Sequence, residues 1–275
     1  MRITKMHGAG NDFIIINNIE ARLSPEALSA LASKLCAFHT SVGADGLMAV
    51  CPAQSGGDYA MLFFNSDGSA GEMCGNGARC IARYGHDNGL AGEVQHIETP
   101  SGLVIGRRIS QGEYRVRLND ASLIDIHRRV SIGGAEYDCA YVELGTPGLP
   151  HAVVELPGRD LGDLDALRPL GRALRHAGEF PRGANVTFVQ RLSPRALRAV
   201  TFERGVEDFT LACGTGCGAT VAALTLRGAL PSGEVSITMP GGTLSVSARI
   251  EGGLARDILL TGPAVTVFEG ELIDE

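Results

Sequence analysis

The sequence is short of positive charge, of lysine and of long apolar runs. Its 275 residues contain 24 Lys and Arg against 31 Asp and Glu, which gives a net charge of -7. Such a chain has no strong attraction for a nucleic-acid backbone or an anionic membrane, so we expect neither as a partner. No apolar run approaches the roughly 18 residues of a spanning helix, and the first residues do not resemble a signal peptide. We therefore expect a cytoplasmic protein.

The sequence also lacks the usual signatures of cofactor and metal sites. Lys5 and Lys34 are its two lysines, so few side chains could form a Schiff base with pyridoxal phosphate. No Gly-x-Gly-x-x-Gly fingerprint lies in a regular βαβ unit, which argues against a dinucleotide. Cys74 and Cys80 do not have the short spacing that cysteine ligands of zinc prefer. We expect activity without pyridoxal phosphate, nicotinamide or metal.

Seven cysteines are present, and an odd number in a chain of this size favours reduced thiols over a disulfide framework. Cys36 and Cys139 lie in apolar patterns, so we interpret both as core residues. Cys80 and Cys217 follow two other cysteines, Cys74 and Cys213, at short distance along the chain. Burial is the simplest interpretation for Cys80 and Cys217, and the sequence gives them no further role.

Glycine is abundant, with 37 residues, and several glycine-containing motifs recur at a nearly constant offset. A Cys-Gly-x-Gly motif follows an apolar run in each half, and a later turn contains proline and glycine in each half. Recurrence of several features in one order indicates two copies of one domain. The matched segments are 8–11 with 145–148, 63–65 with 202–204, 74–77 with 213–216 and 99–104 with 239–244, and Ser24-Pro25 has a looser match in Arg168-Pro169.

Within each half, short β-branched runs outnumber helical stretches and do not alternate with them as βαβ units. This pattern predicts an α+β fold with two similar domains, each a curled mixed sheet around a central helix. Segment 145–150 is predicted to be a loop. The predicted helices are 24–38, 78–86 and 219–226, and the predicted strands are 94–99, 103–109, 114–118, 199–203, 235–239, 244–250 and 258–261.

Cys74 and Cys213 each precede a predicted helix, where free N–H groups and the helix dipole favour negative charge. We expect this setting to lower the pKa of a thiol and to attract a carboxylate. Two cysteines at matched positions are suited to removing a proton from one face of a carbon and delivering one to the other face. The pattern therefore predicts inversion at the Cα of an amino acid.

Several long motifs, in one order from residue 5 onward, closely resemble those of the diaminopimelate epimerase family. The motifs are segments 5–13, 43–47, 64–69, 72–80, 203–205 and 212–216. The resemblance implies a cofactor-independent isomerase that converts LL- to meso-diaminopimelate for lysine and peptidoglycan precursor synthesis. It also implies an active site in the cleft between the domains. A last strand returning to the first domain gives domains 1–118 with 264–275, and 119–263.

The resemblance also implies roles for residues that match the family motifs. Cys74 and Cys213 match the catalytic acid and base, and His151 matches a histidine beside the active site. The matching substrate-binding residues are Asn11, Asn65, Gly75, Asn76, Asn185, Glu203, Arg204, Gly214 and Thr215.

One departure from the family leaves the substrate open. Where the family usually has Gly-Asn-Pro-His, this chain has Gly145 followed by Thr146, so an asparagine that helps to read the distal end of diaminopimelate is missing. Arg204 favours a distal carboxylate, since a guanidinium binds one in a bidentate manner. The alternatives are a racemase of another amino acid, such as histidine, and a non-catalytic amino-acid-binding protein. The partner is a small-molecule substrate, and the oligomeric state, including a homodimer, stays open.

Overall fold

The structure is a computed structural model that describes residues 1–71 and 74–273. The chain divides into two compact units, Met1–Val116 with Thr261–Glu275, and Arg117–Leu260. Both units combine a mixed β-sheet with a buried helix, so the predicted α+β class is confirmed. Among the helices of the described residues, none is both long enough and apolar enough to cross a membrane.

The helices and strands follow in chain order. They are β1 (Arg2–Gly8), β2 (Asn11–Asn17), α1 (Asn18–Ala21), α2 (Pro25–Leu35), β3 (Gly46–Cys51), β4 (Tyr59–Asn65), α3 (Gly75–Asp87), β5 (Val94–Thr99), β6 (Gly102–Arg108), β7 (Glu113–Arg117), β8 (Ala121–Ile132), β9 (Ala135–Leu144), β10 (Leu149–Glu155), α4 (Leu164–Arg175), β11 (Asn185–Ser193), β12 (Ala196–Phe202), β13 (Phe209–Thr210), α5 (Gly214–Leu226), β14 (Val235–Met239), β15 (Gly242–Glu251), β16 (Leu254–Pro263) and β17 (Val265–Glu271).

The strands of the two units repeat one order of pairing. In the first unit, neighbours along the series β17, β1, β2, β3, β4, β5, β6 pair antiparallel, antiparallel, parallel, antiparallel, parallel and antiparallel. In the second unit, the series β8, β9, β10, β11, β12, β14, β15 pairs in the same order. The predicted duplication is therefore present in the topology as well as in the motifs.

One long helix is enclosed by each sheet. Helix α3 contacts β1, β2, β3 and β6, and helix α5 contacts β8, β9, β10, β11 and β15. Most residues of both helices are buried, and most of the buried residues of α5 are small. A Cβ on Gly218 would lie 2.9 Å from Leu118 Cδ1, so glycine allows the backbone of α5 to approach its neighbours. This agrees with a curled sheet around a central helix.

Three local predictions were wrong in their bounds. Helix α2 is capped by Ser24, as expected, but it ends at Leu35, and Phe38 is 61% exposed rather than part of an apolar face. Segment 145–150 is not wholly a loop, because β10 begins at Leu149. Pro169 lies inside α4, whose N-cap is Asp163, so it does not match the proline that opens α2.

The cysteines interpreted as core residues are buried. Burial raises the pKa of Cys36 to about 11 and the pKa of Cys139 to about 12. Burial likewise raises the pKa of Cys80 to about 12. These thiols stay protonated and apolar at neutral pH, which supports a packing role.

Candidate functional site

In the first unit, the candidate residues gather at one end of the sheet. Strands β2 and β3 are parallel and start at Asn11 and Gly46, while the antiparallel β4 ends at Asn65, opposite Gly46. The turn after β4 is closed by Asn65, whose Nδ2 donates to Ser69 Oγ at 2.9 Å. Helix α3 begins beyond this turn, and a contact of 3.4 Å between Cys74 Sγ and Asn11 Oδ1 joins it to β2.

Cys74 is the N-cap residue of α3 and has extended backbone angles. The first backbone hydrogen bond of the helix runs from the Ala78 N–H to the Cys74 carbonyl at 2.8 Å. The N–H groups of Gly75 and Asn76 come before this bond, among those that a helix does not use internally. They lie beside Cys74 at the positive end of the helix dipole, where a carboxylate is favourably bound.

A buried arginine supports this helix start. Arg79 is 0% exposed, and its Nη2 donates to Asn76 Oδ1 at 2.9 Å while its Nη1 donates to the Gly75 carbonyl at 3.3 Å. The Asn76 Nδ2 donates in turn to Asn11 Oδ1 at 3.3 Å. Arg79 is not among the site residues predicted from the sequence, although a basic residue on the buried side of a helix is a signal that points to it.

The second unit repeats this arrangement with different side chains. His151 of β10 lies opposite Asn185, the first residue of β11, and Glu203 directly follows β12. In sheet register, Glu203 therefore takes the position that Asn65 has in the first unit. The motif offset had aligned Asn65 with Arg204, which is one residue too far, because spacing to the cysteine does not fix the register of a strand.

Cys213 is the N-cap residue of α5, and its side chain accepts the cap hydrogen bond. The Gly216 N–H donates to Cys213 Sγ at 3.4 Å, and the Thr215 hydroxyl lies 3.6 Å from the same sulfur. A Cβ on Gly216 would lie 2.8 Å from Thr187 Oγ1 and 3.2 Å from Cys213 Sγ. Gly216, the second glycine of the Cys-Gly-x-Gly motif, is therefore needed for this sulfur position.

The expected lowering of the thiol pKa is wrong for Cys213. Burial raises the pKa of this thiol well above its ordinary value, and the nearby Glu203 carboxylate raises it further. Hydrogen bonds from Thr215 and Gly216 oppose the shift but do not outweigh it. Loss of solvation destabilises the thiolate by more than the N–H groups and the dipole at the helix start stabilise it. Cys213 is therefore a thiol at neutral pH, suited to donating a proton.

Arg204 is held through its backbone and through one side of its guanidinium. Its N–H donates to Asn185 Oδ1 at 2.8 Å, and its Nη1 donates to the Arg182 carbonyl at 3.3 Å. The Arg182 side chain pairs with Glu143 at 2.6 Å and donates to the Gly148 carbonyl at 3.0 Å. Arg182 thus links Arg204 to the segment that contains Thr146, and Arg182 is not among the site residues predicted from the sequence.

His151 is buried without a hydrogen-bond partner. It is 0% exposed, and neither ring nitrogen has a partner among residues 1–71 and 74–273. Burial, together with the positive charge of Arg204, lowers the pKa of His151 to about 3. The imidazole is therefore neutral, and its two nitrogens remain able to donate one hydrogen bond and accept one.

The neutral state of His151 predicts a dependence of stability on pH. In the unfolded chain the imidazole gains a proton near pH 6.5, whereas in the folded chain it stays neutral down to about pH 3. The unfolded state binds more protons in this window, so the free energy of unfolding should fall as the pH decreases from 6.5 towards 3. The contribution of His151 is at most about 1.4 kcal/mol per pH unit.

Urea unfolding of the wild type and of His151→Gln at several pH values measures this contribution. The variant should lose less stability than the wild type between pH 6.5 and 4. Control measurements on His39→Asn, which replaces an exposed histidine in the turn after α2, should follow the wild-type curve. Identical slopes for the wild type and His151→Gln would contradict the prediction.

No group of three or more His, Cys, Asp or Glu side chains that could hold a metal ion occurs within the described part of the chain. The groups that the site presents for chemistry are the thiols, amides, backbone N–H groups and charged side chains named above. Each unit presents one cysteine at the N-terminus of its enclosed helix, next to N–H groups that can bind a carboxylate.

A sequence model of the family described as diaminopimelate epimerase matches residues 3–124 and 145–267. The chain belongs to the diaminopimelate epimerase family. It is 36% identical over 285 residues to the diaminopimelate epimerase of Aquifex aeolicus, covering 100% of this chain and 99% of that protein. It is 32% identical to the enzyme of Bacillus subtilis, covering 98% and 97% of the two chains.

Solved structures of other proteins share the fold of this family member. A hydroxyproline epimerase from Agrobacterium vitis, with bound trans-4-hydroxy-L-proline, has a TM-score of 0.71 at 19% identity and covers 98% of this chain and 91% of its own. A phenazine biosynthesis protein of the PhzF family from Bacillus anthracis has a TM-score of 0.72 at 15% identity, covering 100% and 99%. Family membership makes the chain an isomerase of the epimerase type.

Proposed function

We propose that this chain interconverts LL- and meso-diaminopimelate by inverting one Cα, with Cys74 and Cys213 as acid and base. The observation that carries the proposal is the repeated placement of a cysteine at the N-cap of the enclosed helix in each unit. An amino-acid-binding protein would need the N–H groups for the substrate carboxylate but not two matched thiols. The reaction places this enzyme in the synthesis of lysine and peptidoglycan precursors.

The reaction needs one thiolate and one thiol. The thiolate of one cysteine takes the Cα proton, and the electron pair of the C–H bond moves into the α-carboxylate. The thiol of the other cysteine then donates its proton to the opposite face of Cα. The two cysteines end with their protonation states exchanged, so the reverse reaction uses them in opposite roles. Protonated Cys213 fits the proton donor in the direction in which Cys74 is the base.

Stabilising the charge on the α-carboxylate is the main requirement of proton removal from Cα. We assign this role to the N–H groups of Gly75 and Asn76 in α3 and of Gly214 and Thr215 in α5. Backbone donors at helix starts are fixed before the substrate arrives, so they lower the barrier without a reorganisation cost. They replace the cofactor that many amino-acid racemases use to stabilise the carbanion.

The remaining candidate residues are proposed to bind the rest of the substrate. Arg204 has no carboxylate within salt-bridge distance among the described residues, and its guanidinium is assigned to the distal carboxylate. Glu203, whose Oε1 already accepts from Thr210 Oγ1 at 2.7 Å, is assigned to a substrate ammonium. The amides Asn11, Asn65 and Asn185 are assigned to polar substrate atoms, and His151 is assigned to the border of the substrate site.

We also propose that the enzyme works in the cytoplasm as a protein with a small-molecule substrate. All seven cysteines are free, as a reducing compartment requires and as a thiol-dependent reaction needs. The expectation of no nucleic-acid or membrane partner stays a prediction, and so does a homodimer as one possible assembly.

Incubation of the purified enzyme with LL-diaminopimelate in heavy water, without added cofactor or metal, tests the proposed function. We expect meso-diaminopimelate to form and to carry deuterium at the inverted Cα, because the donating thiol exchanges its proton with solvent. Under the same conditions L-histidine should show no exchange at Cα. Exchange of histidine instead of diaminopimelate would favour the alternative racemase, and exchange of no amino acid would favour a binding protein.

A further inference from the structure

The Asn11 side chain lies between two groups whose hydrogen-bonding character is fixed. On one side, Asn11 Nδ2 donates to Asp45 Oδ2, which also accepts the Asp12 N–H at 3.1 Å. Because Asp45 Oδ2 already accepts the Asp12 N–H, this carboxylate oxygen offers only an acceptor to the Asn11 amide. The NH₂ group of Asn11 must therefore face Asp45.

On the other side, Arg79 fixes the orientation of Asn76. A guanidinium is only a donor, so the Asn76 oxygen faces Arg79 and its NH₂ group faces Asn11 Oδ1 at 3.3 Å. The orientation of the Asn11 amide thus follows from two independent constraints, one from Asp45 and one from Arg79. Both place the Asn11 oxygen away from Asp45 and towards α3.

The orientation of the Asn11 amide determines which of its groups contacts Cys74. Its thiol donates to Asn11 Oδ1 at 3.4 Å. A carbonyl oxygen stabilises the S–H group, whereas a rotated amide would present an N–H group and stabilise the thiolate. The direction in which Asn11 points therefore influences whether Cys74 is a thiol or a thiolate.

The two carboxylates behind Asn11 are close together and are balanced by a buried lysine. Lys5 Nζ pairs with Asp12 Oδ2 at 2.6 Å and also donates to the Gly43 carbonyl. Asp12 Oδ1 accepts the Asp45 N–H at 3.0 Å. Lys5 is 7% exposed, so this charge is placed inside the unit rather than at its surface. The cluster holds Asp45 where its oxygen reaches Asn11.

We propose that Asp45 is a positioning residue that acts through Asn11 to orient the Cys74 sulfur and to favour its thiol form, which is the proton donor in the direction in which Cys213 is the base. This inference rests on the proposed function for the catalytic role of Cys74. The geometry itself is independent of the identity of the substrate.

Asp45→Asn tests the inference because the new amide can offer either a donor or an acceptor to Asn11. The readout is the pH midpoint of Cys74 alkylation by iodoacetamide, followed by mass spectrometry of the Cys74 peptide. We expect the midpoint to fall by about one pH unit, the size of one hydrogen bond to an ionisable group. Asp58→Asn removes a carboxylate that accepts the His96 N–H at 2.6 Å, and this control should leave the midpoint unchanged.

Loss of the Asp45 charge could lower the midpoint without Asn11, so the same change is also made in an Asn11→Ala background. If Asp45 acts through Asn11, the second change should produce no further shift there. An equal shift in both backgrounds, or no shift in Asp45→Asn alone, would overturn the inference. If Asp45→Asn fails to fold, as judged by circular dichroism, then Asn11→Ala alone must lower the midpoint.

Wild-type epimerisation of diaminopimelate is measured separately. A wild type that epimerises while Asp45→Asn leaves the midpoint unchanged would refute the inference and leave the proposed function intact. A shifted midpoint in a protein that does not act on diaminopimelate would refute the proposed function and leave the positioning role intact.

Discussion

Replacement of Cys213 by alanine should lower the rate of diaminopimelate epimerisation on the order of 10³-fold or more, since a general acid or base contributes about 10²- to 10⁴-fold. Replacement by alanine removes only the sulfur atom, which contacts Gly216 and Thr215. Because this change in volume is small, the fold should persist. Cys74→Ala should cause a loss of the same order, because inversion needs both groups. Circular dichroism and the rate of meso-diaminopimelate formation from the LL isomer check the two expectations.

Buried cysteines outside the proposed chemistry provide matched controls. Cys80→Ala changes a buried thiol on the same helix as Cys74, and Cys139→Ala changes a buried thiol of β9 in the second unit. Both should retain near-normal turnover. If Cys74→Ala or Cys213→Ala epimerises at a rate close to that of Cys80→Ala, the acid-base assignment is wrong.

The placement of these cysteines could be predicted because local sequence determines it. A Cys-Gly-x-Gly string before a run of helix-forming residues predicts an N-cap cysteine, and the structure places Cys74 and Cys213 there. The duplication could also be predicted, since similar motifs recur in one order. Both features depend on residues that are neighbours in the chain.

The protonation of Cys213 could not be predicted in this way. A helix start favours a thiolate, but burial of the thiol and the nearby charge of Glu203 outweigh this effect, and both depend on the packing of distant strands. Motif spacing aligned Asn65 with Arg204 instead of Glu203 for a similar reason. Sheet register, and not motif spacing, decides which residue follows the end of β12. Arg79, Asp45 and Arg182 were missed because each acts through partners that the sequence alone does not bring together.

Arg204→Lys should weaken the binding of diaminopimelate far more than the binding of L-lysine, which is diaminopimelate without its distal carboxylate. A guanidinium offers two parallel N–H groups to a carboxylate, whereas an ammonium offers a single point of charge. Lysine keeps the positive charge but loses one of the two parallel hydrogen bonds, and a hydrogen bond to a charged group contributes about 1.5–3 kcal/mol. We therefore expect the KM for diaminopimelate to rise by roughly 10-fold or more, at 1.4 kcal/mol per tenfold change.

Inhibition of Cα exchange by L-lysine gives the comparison, because its inhibition constant should change little in the variant. Arg195→Lys is the control, since Arg195 donates to the Ser232 and Glu234 carbonyls away from the candidate residues. Equal losses for both ligands would mean that Arg204 maintains the site through Asn185 and the Arg182 carbonyl without selecting the substrate. A distal carboxylate would then need another partner, and Thr146, in the segment that Arg182 holds, would be the next residue to replace.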